Sequence, residues 1–164
     1  MKYQRTGFGF DCHKIVLSEN KTEIKLCGAS IPSDYDIIAH SDGDVALHAL
    51  TDAILGAIGE GDIGVHFPPT DDKWKDYDSV FFLNHALKLL KEKGGEIINI
   101  DITIVAETPK IKPHRENIIK KLSELLNIEE SMIGLKGKTS EGLGIVGEKK
   151  AIVCYAVVSL ILGE

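Results

Sequence analysis

Residues 44–58 read DVALHALTDAILGAI, and this segment carries the clearest structural signal in the chain. Its apolar side chains recur every three or four positions, which is the spacing of one buried helix face. The members of that face are Ala46, Leu47, Leu50, Ala53, Ile54, Ala57 and Ile58. Asp44, His48 and Asp52 recur every four residues and therefore fall on another face. The pattern predicts an amphipathic helix that begins at an N-cap formed by Asp42 or Asp44.

Strands are predicted on both sides of this helix. The segments that are rich in β-forming residues or alternate polar with apolar residues are 3–11, 22–26, 29–31, 98–105, 133–138 and 151–162. Gly7 and Gly9 interrupt the first strand, which indicates that another part of the backbone approaches it closely. The second and third strands flank Cys27 and Gly28, which predicts a hairpin.

Two further helices, residues 79–93 and 113–126, follow from the 3.6-residue period, and residues 32–42 and 59–76 are expected to form loops. Helices and strands interleave without a strict strand–helix–strand alternation. We therefore predict an α+β fold: a single domain over residues 1–164, with a mixed β-sheet and helices packed on one face.

The composition excludes several classes of protein. The chain has 164 residues, 43% of them hydrophobic, and 19 Lys and Arg against 25 Asp and Glu give a net charge of −6. This acidic balance argues against an extended nucleic-acid interface, although a local basic site for a small phosphorylated ligand is compatible with it. The longest apolar run, residues 151–162, is shorter than the about 20 residues of a membrane-spanning helix. Three widely spaced cysteines form no disulfide framework, so a cytoplasmic protein without membrane or nucleic-acid partners is expected.

One group of residues suggests a metal site. Asp11 and His13 lie two positions apart on a predicted strand, so their side chains point to the same face, and His48 can join them from the helix. Three protein ligands with one open position are typical of a functional zinc ion, and Asp44 or Asp52 would then orient the His48 imidazole. The alternative is that these are unrelated polar side chains, because short motifs often match by chance.

Four loops are suited to anionic ligands. They are residues 39–44 (AHSDGD), 62–71 (DIGVHFPPTD), 106–111 (AETPKI) and 136–142 (KGKTSEG). The last combines amides, hydroxyls and the Glu141 carboxylate, which suits a diphosphate with a hard cation, although its spacing is not that of a P-loop. Each loop can also be an ordinary turn. We interpret His66, His85 and His114 as structural residues.

Taken together, ordered blocks of the sequence resemble the 2-C-methyl-D-erythritol 2,4-cyclodiphosphate synthase family. The blocks are residues 5–13 (RTGFGFDCH), 40–53 (HSDGDVALHALTDA), 61–71 (GDIGVHFPPTD), 106–110 (AETPK), 113–114 (PH) and 139–144 (TSEGLG). The resemblance extends over essentially the whole chain. It implies a homotrimer with active sites between neighbouring subunits. It further implies conversion of 4-diphosphocytidyl-2-C-methyl-D-erythritol 2-phosphate to the 2,4-cyclodiphosphate and CMP, a phosphorus–oxygen lyase step of non-mevalonate isoprenoid biosynthesis.

The resemblance also assigns roles to individual residues. Asp11, His13 and His48 would bind zinc, Glu141 would bind magnesium or manganese, and Thr139 would complete the catalytic set. The erythritol and its phosphate would contact His40, Ser41, Asp62 and Gly64. Phe67 and Asp71 would also bind the substrate. The cytidine diphosphate portion would contact Ala106, Pro109, Lys110, Ile111, Lys138, Thr139 and Ser140. In many members a threonine stands at position 138, so Lys138 adds a cation beside the diphosphate.

Two alternatives to this function are compatible with the residues. The first is a zinc-dependent hydrolase of a nucleoside-diphosphate substrate, because an open zinc position also permits attack by water. The second is a trimeric module that binds a metal or nucleotide without catalysis. Linear products would favour the hydrolase, and binding without turnover would favour the module.

Overall fold

A long β-hairpin begins the chain. In the computed structural model, which describes residues 2–163, β1 (Lys2–Leu26) pairs antiparallel with β2 (Ala29–Ile38) around the turn at Cys27 and Gly28. The predicted hairpin is confirmed, but residues 3–11 and 22–26 belong to one strand with a register shift between Leu17 and Thr22. The loop predicted for residues 32–42 is wrong over residues 32–38, which continue β2. Pro32 is tolerated there because β2 is an edge strand, where a missing N–H leaves no partner unpaired.

The remaining elements agree with the predicted order. The helices are α1 (Val45–Ala57), α2 (Ile63–His66), α3 (Ser79–Glu92), α4 (Arg115–Leu126) and α5 (Gly144–Gly147). The other strands are β3 (Gly95–Val105), β4 (Ile133–Lys138) and β5 (Ala151–Gly163). The loop predicted for residues 59–76 contains α2 and a 3₁₀ turn at Asp72–Trp74. The helix predicted from residue 113 begins at Arg115, because Pro113 lies in a preceding 3₁₀ turn.

The five strands form one mixed sheet in the order β2-β1-β5-β3-β4. Only β3 and β4 pair in parallel, and the other neighbours are antiparallel. The apolar β5 lies at the centre, as its composition predicts. The α+β class and the mixed sheet are therefore confirmed. No helix in residues 2–163 is both long and apolar enough to cross a membrane.

Helix α1 lies directly on β1 because two glycines allow it. A Cβ atom on Gly7 or Gly9 would overlap the carbonyl oxygens of Ala53 and Ala49, respectively. This is the close backbone approach that the two glycines predict. The contact sets the height of α1 above the sheet and so places His48, one residue before Ala49, over β1.

The predicted N-cap is Asp44, which is fully buried. Its Oδ1 accepts hydrogen bonds of 2.9 Å from the amides of Leu47 and Cys27, and its Oδ2 accepts one of 2.6 Å from Gly28. Burial raises the pKa of the Asp44 carboxyl, although these three bonds favour its ionised form. One side chain thus joins the start of α1 to the hairpin turn.

The two faces of the sheet differ in their surroundings. On one face, side chains from all five strands pack with α1, α3 and α4 in one hydrophobic core. On the opposite face, Phe8, Phe10, Tyr155 and Val157 are exposed, and the Tyr155 ring lies 6.2 and 5.4 Å from those of Phe8 and Phe10. An aromatic surface therefore lies on the side of the sheet away from the helices.

Candidate active site

Asp11, His13 and His48 converge near the middle of β1. The Asp11 Oδ2 atom lies 3.2 Å from His13 Nδ1 and 3.0 Å from His48 Nδ1. One ligand atom from each of the three residues lies within 4.8 Å of the others. The strand supplies two of these side chains and α1 supplies the third, so the group depends on the contact between α1 and β1.

The chemistry of this group fits a transition-metal ion. Its donors are one carboxylate oxygen and two imidazole nitrogens, a set that suits zinc with an open position. Burial lowers the pKa of the His13 imidazole despite the nearby Asp11 carboxylate, so the neutral, metal-binding form is favoured. Within residues 2–163, His13 Nε2 is also one of the buried polar atoms without a hydrogen-bond partner. The side chains present therefore form a possible metal site.

Hydroxyl groups hold the other nitrogen of His48. Its Nε2 atom lies 2.8 Å from Ser79 Oγ and 3.2 Å from Ser41 Oγ. Ser79 in turn donates its hydroxyl hydrogen to Asp42 Oδ1, and Asp42 Oδ2 accepts the Ser79 amide at 3.1 Å. The expectation that Asp44 or Asp52 orients His48 is wrong, because Asp44 caps α1 and Asp52 Oδ1 accepts the Ile63 amide at 2.8 Å.

A cavity of about 450 Å³ opens beside this group. Of the residues predicted to bind substrate or metal, it is lined by His13, His40, Ser41, His48, Phe67 and Asp71. Gly64 lies in α2, next to Ile63, which also lines the cavity. Asp62 precedes α2 and caps it, because its carboxylate accepts the Val65 amide at 3.0 Å. Trp74 and Phe82 complete the apolar part of the wall.

A second cavity of about 360 Å³ lies where β3 and β4 end. Of the residues predicted to bind the cytidine diphosphate portion, it is lined by Ala106, Lys110, Ile111, Lys138 and Thr139, but not by Pro109 or Ser140. Its cationic side chains are Lys110, Lys112, Arg115, Lys136 and Lys138. Lys136 is paired with Asp101 at 2.6 Å. A chain of net charge −6 thus concentrates positive charge around one small cavity.

The turn that carries Glu141 is held by Glu107. Glu107 Oε1 accepts hydrogen bonds from the Ser140 amide at 3.0 Å and the Gly142 amide at 3.4 Å. Partial burial acts to raise the pKa of Glu107, but these bonds outweigh it, so the pKa is lowered. Glu141 itself is exposed and has a φ of 55°. Glu107 therefore fixes a turn in which Glu141 points its carboxylate away from the core.

One row of paired residues crosses the sheet from one cavity to the other. Cys12 pairs with Val153, Val153 with Val105, and Val105 with Lys138. Three inter-strand spacings separate the two sites, or about 14 Å. A larger cavity of about 1020 Å³ lies elsewhere, between the ends of α3, β3 and α4, and contains none of the residues predicted for the site.

Ser79, Arg115 and Phe82 were not predicted from the sequence. Ser79 lies 31 residues after His48, at the start of a helix, where a serine is common and marks no site. Arg115 lies in the first turn of α4, and Phe82 lies on the buried face of α3. No sequence signal distinguishes them, because tertiary packing alone brings them to the cavities.

Comparisons with known proteins agree with these observations. The sequence profile of the YgbB family matches residues 4–161. The chain is 49% identical over 156 residues to the bifunctional enzyme IspD/IspF of Caulobacter vibrioides, covering 95% of this chain and 40% of that protein. It thus spans about 40% of the length of that relative. It is also 49% identical over 157 residues to the 2-C-methyl-D-erythritol 2,4-cyclodiphosphate synthase of Aliivibrio salmonicida, covering 96% and 97% of the two chains.

The fold is shared with a solved structure. The Plasmodium falciparum IspF in complex with CDP superposes with a TM-score of 0.86 at 43% identity, covering 98% of this chain and 97% of that chain. Both the profile match and this identity extend over nearly the whole sequence. On these grounds, together with the Asp11–His13–His48 group, the chain belongs to the YgbB family.

Proposed function

We propose that this chain is a 2-C-methyl-D-erythritol 2,4-cyclodiphosphate synthase. It converts 4-diphosphocytidyl-2-C-methyl-D-erythritol 2-phosphate to the 2,4-cyclodiphosphate and releases CMP, a step of isoprenoid biosynthesis. The observation that carries the proposal is the Asp11–His13–His48 group, of which His13 and His48 line a cavity, in a member of the YgbB family. The relative from Aliivibrio salmonicida bears the name of this enzyme.

The reaction requires no nucleophile from the protein. An oxygen of the substrate 2-phosphate attacks the β-phosphorus, a new phosphorus–oxygen bond forms, and the bond between the β-phosphorus and the oxygen of CMP breaks. The protein must fold the substrate back on itself and neutralise charge, which are the main sources of catalysis in phosphoryl transfer. This explains why the cavities offer cations, imidazoles and hydroxyls rather than an activated serine or cysteine.

Asp11, His13 and His48 are proposed as the zinc ligands. Zinc bound there would supply Lewis-acid polarisation of a phosphoryl oxygen. Ser79 and Ser41 hold the far side of the His48 ring through Nε2, so that Nδ1 faces Asp11. Glu141 is proposed to bind magnesium or manganese, because a carboxylate on an exposed turn suits a hard cation.

The substrate is proposed to occupy both the cavity beside the Asp11–His13–His48 group and the cavity at the ends of β3 and β4. The erythritol and its phosphate would contact His40, Ser41, Asp62 and Gly64. Phe67 and Asp71, which line the cavity beside the Asp11–His13–His48 group, would also bind the substrate. Ala106, Pro109, Lys110, Ile111, Lys138, Thr139 and Ser140 would contact the cytidine diphosphate, with Thr139 also counted among the catalytic residues. The positive charge around Lys110 and Lys138 supports an anionic nucleotide there, and the Plasmodium falciparum relative was solved with CDP.

We also propose a homotrimer in which the active sites lie between subunits and residues 1–164 form one synthase domain. The exposed aromatic surface of Phe8, Phe10, Tyr155 and Val157 supports burial against another copy, because monomers rarely expose such patches. The separation of about 14 Å between the cavities of one chain supports sites completed by a neighbour. A cytoplasmic location stays a prediction.

The experiment compares His48→Ala with His114→Ala. Zinc content is measured by elemental analysis, and CMP release from the diphosphocytidyl substrate is followed by chromatography. His48→Ala is expected to lose bound zinc and CMP release but to keep its oligomeric state. His114 lines neither cavity, so His114→Ala is expected to keep its zinc, its CMP release and its oligomeric state. Normal turnover by His48→Ala would contradict the zinc assignment.

The hydrolase alternative is not favoured by the family, and it differs in giving linear phosphate products along with CMP.

A further inference from the structure

A second pair of histidines lies outside the Asp11–His13–His48 group. His66, at the end of α2, and His85, in α3, are both partly buried, and His85 Nε2 lies 3.1 Å from His66 Nδ1. Their ring centroids are 4.8 Å apart. Neither residue is needed for the proposed zinc site, and neither lines the cavity beside it.

The tautomer of His66 follows from its other contact. His66 Nε2 lies 2.7 Å from the carbonyl oxygen of Glu60, which can only accept a hydrogen bond, so Nε2 carries the hydrogen. In the neutral ring, Nδ1 therefore presents a lone pair toward His85. A metal-binding histidine is commonly fixed in this way, with the nitrogen that does not bind the metal donating to a backbone carbonyl.

The distance between the two nitrogens suits a shared ion. Bonds of about 2.05 Å at a tetrahedral angle place two imidazole nitrogens about 3.3 Å apart, close to the observed 3.1 Å. Burial, with smaller contributions from His66 and Lys88, lowers the pKa of His85, which favours its neutral form at pH 7. On metal binding, the His85 proton would move from Nε2 to Nδ1, so no net proton release is required.

The charged groups around the pair balance each other. Lys93 Nζ pairs with Glu60 Oε1 at 2.6 Å, and Lys88 Nζ with Glu92 Oε1 at 3.8 Å. Two cations and two carboxylates therefore surround the histidines, and a divalent ion meets no net repulsion from these four groups. Water can complete its coordination, because both histidines retain solvent contact.

We propose that His66 and His85 form a second transition-metal site, of the zinc type, which joins α2 to α3. Its ligand atoms are His66 Nδ1 and His85 Nε2, and exogenous oxygen ligands complete the coordination. Through α2, the ion would restrain the segment that ends at Phe67, whose ring packs 5.0 Å from His85 and 4.8 Å from Phe82. The site does not depend on the proposed enzymatic activity.

The test is calorimetric titration of Zn²⁺ into the purified protein after its Asp11–His13–His48 group has been saturated with Zn²⁺, with excess Mg²⁺ present. The expected result is one further Zn²⁺ per chain, absent in His66→Gln and in His85→Gln but retained in His114→Gln. Zn²⁺ is also expected to raise the thermal midpoint of the loaded wild-type protein but not that of the two variants.

Two results would overturn the proposal. One is the absence of a further Zn²⁺ in the wild-type protein, which would leave a hydrogen bond between the two rings and nothing more. The other is retention of that ion in both variants. If the variants fail to fold, wild-type crystals soaked in Zn²⁺ decide: an anomalous scattering peak between the two nitrogens supports the site, and its absence contradicts it.

Discussion

At the scale of single residues, the His48 imidazole is held on both sides. Asp11 contacts its Nδ1, and Ser79, itself fully buried and bonded to Asp42, contacts its Nε2. Groups that orient a metal ligand commonly affect metal affinity about 10–100-fold when removed. Ser79→Ala is therefore expected to weaken zinc binding by that factor, measured by competition with a chromophoric chelator.

The control for Ser79→Ala is Ser123→Ala. Ser123 also uses its hydroxyl for one hydrogen bond, to the Ile128 carbonyl at 2.6 Å. It lies in the last turn of α4 and does not line the cavity beside His48. Unchanged zinc affinity in Ser79→Ala, with the fold retained by circular dichroism, would show that Ser79 does not position His48.

Glu107 gives a prediction about pH. Its pKa is lowered because hydrogen bonds from the Ser140 and Gly142 amides outweigh its partial burial. For an acid whose folded-state pKa is lowered, the stabilising effect is fully present above the unfolded-state pKa and is lost as pH falls through the folded-state pKa. Wild type is therefore expected to be more stable than Glu107→Gln by a constant difference above about pH 5, and that difference should shrink below about pH 4.5.

Denaturant unfolding of the two proteins across this pH range measures the difference. Because all other carboxyl groups are common to both proteins, their titration cancels in the comparison. A difference that stays constant down to pH 3 would contradict a role for the ionised Glu107 carboxylate in holding the turn that carries Glu141.

At the scale of secondary-structure elements, the contact between α1 and β1 positions the residues of the proposed metal site. Gly9→Ala places a methyl group into the carbonyl oxygen of Ala49, so helix and strand must separate. The expected cost is about 1–3 kcal/mol of unfolding free energy, and the displacement of neighbouring His48 should also weaken zinc binding. Denaturant unfolding and chelator competition measure the two effects.

Gly56→Ala, in the helix that packs against Gly9, is the matched control. Outside the local backbone of α1, an added Cβ atom at Gly56 meets no atom within 4 Å, so helix propensity is the main change. This variant is expected to be stabilised by up to about 1 kcal/mol. Equal effects of the two substitutions would show that the glycine of β1 is not needed for close packing.

The elements also show where sequence reasoning succeeds and where it fails. Three features could be predicted from short stretches of sequence: the apolar 3.6-residue period of α1, the alternation of apolar and polar residues in β3, and the two glycines of β1. Each depends on one buried face or on one close approach of the backbone. The continuation of β2 through Pro32 could not, since it depends on β2 lying at the sheet edge. The contact of Ser79 with His48 could not either, because a loop of irregular path joins the two helices.

At the scale of the whole molecule, the aromatic surface of Phe8, Phe10, Tyr155 and Val157 predicts assembly. A charge placed there would be buried without a partner, which is costly in an interface. Phe10→Glu is therefore expected to shift the protein from the proposed trimer to a monomer, measured by analytical ultracentrifugation. Met132→Glu, which adds the same charge at an exposed apolar residue outside this surface, should remain trimeric. A Phe10→Glu trimer of wild-type stability would place the subunit interface elsewhere.

The most direct test of the proposed activity is phosphorus NMR of the products. The purified protein is incubated with the diphosphocytidyl substrate and Mg²⁺, with and without a zinc chelator. We expect the resonances of a cyclic diphosphate together with CMP, and their loss when zinc is removed. Linear phosphate products would instead indicate hydrolysis, and binding without turnover would indicate a non-catalytic module; either result would contradict cyclisation by this chain.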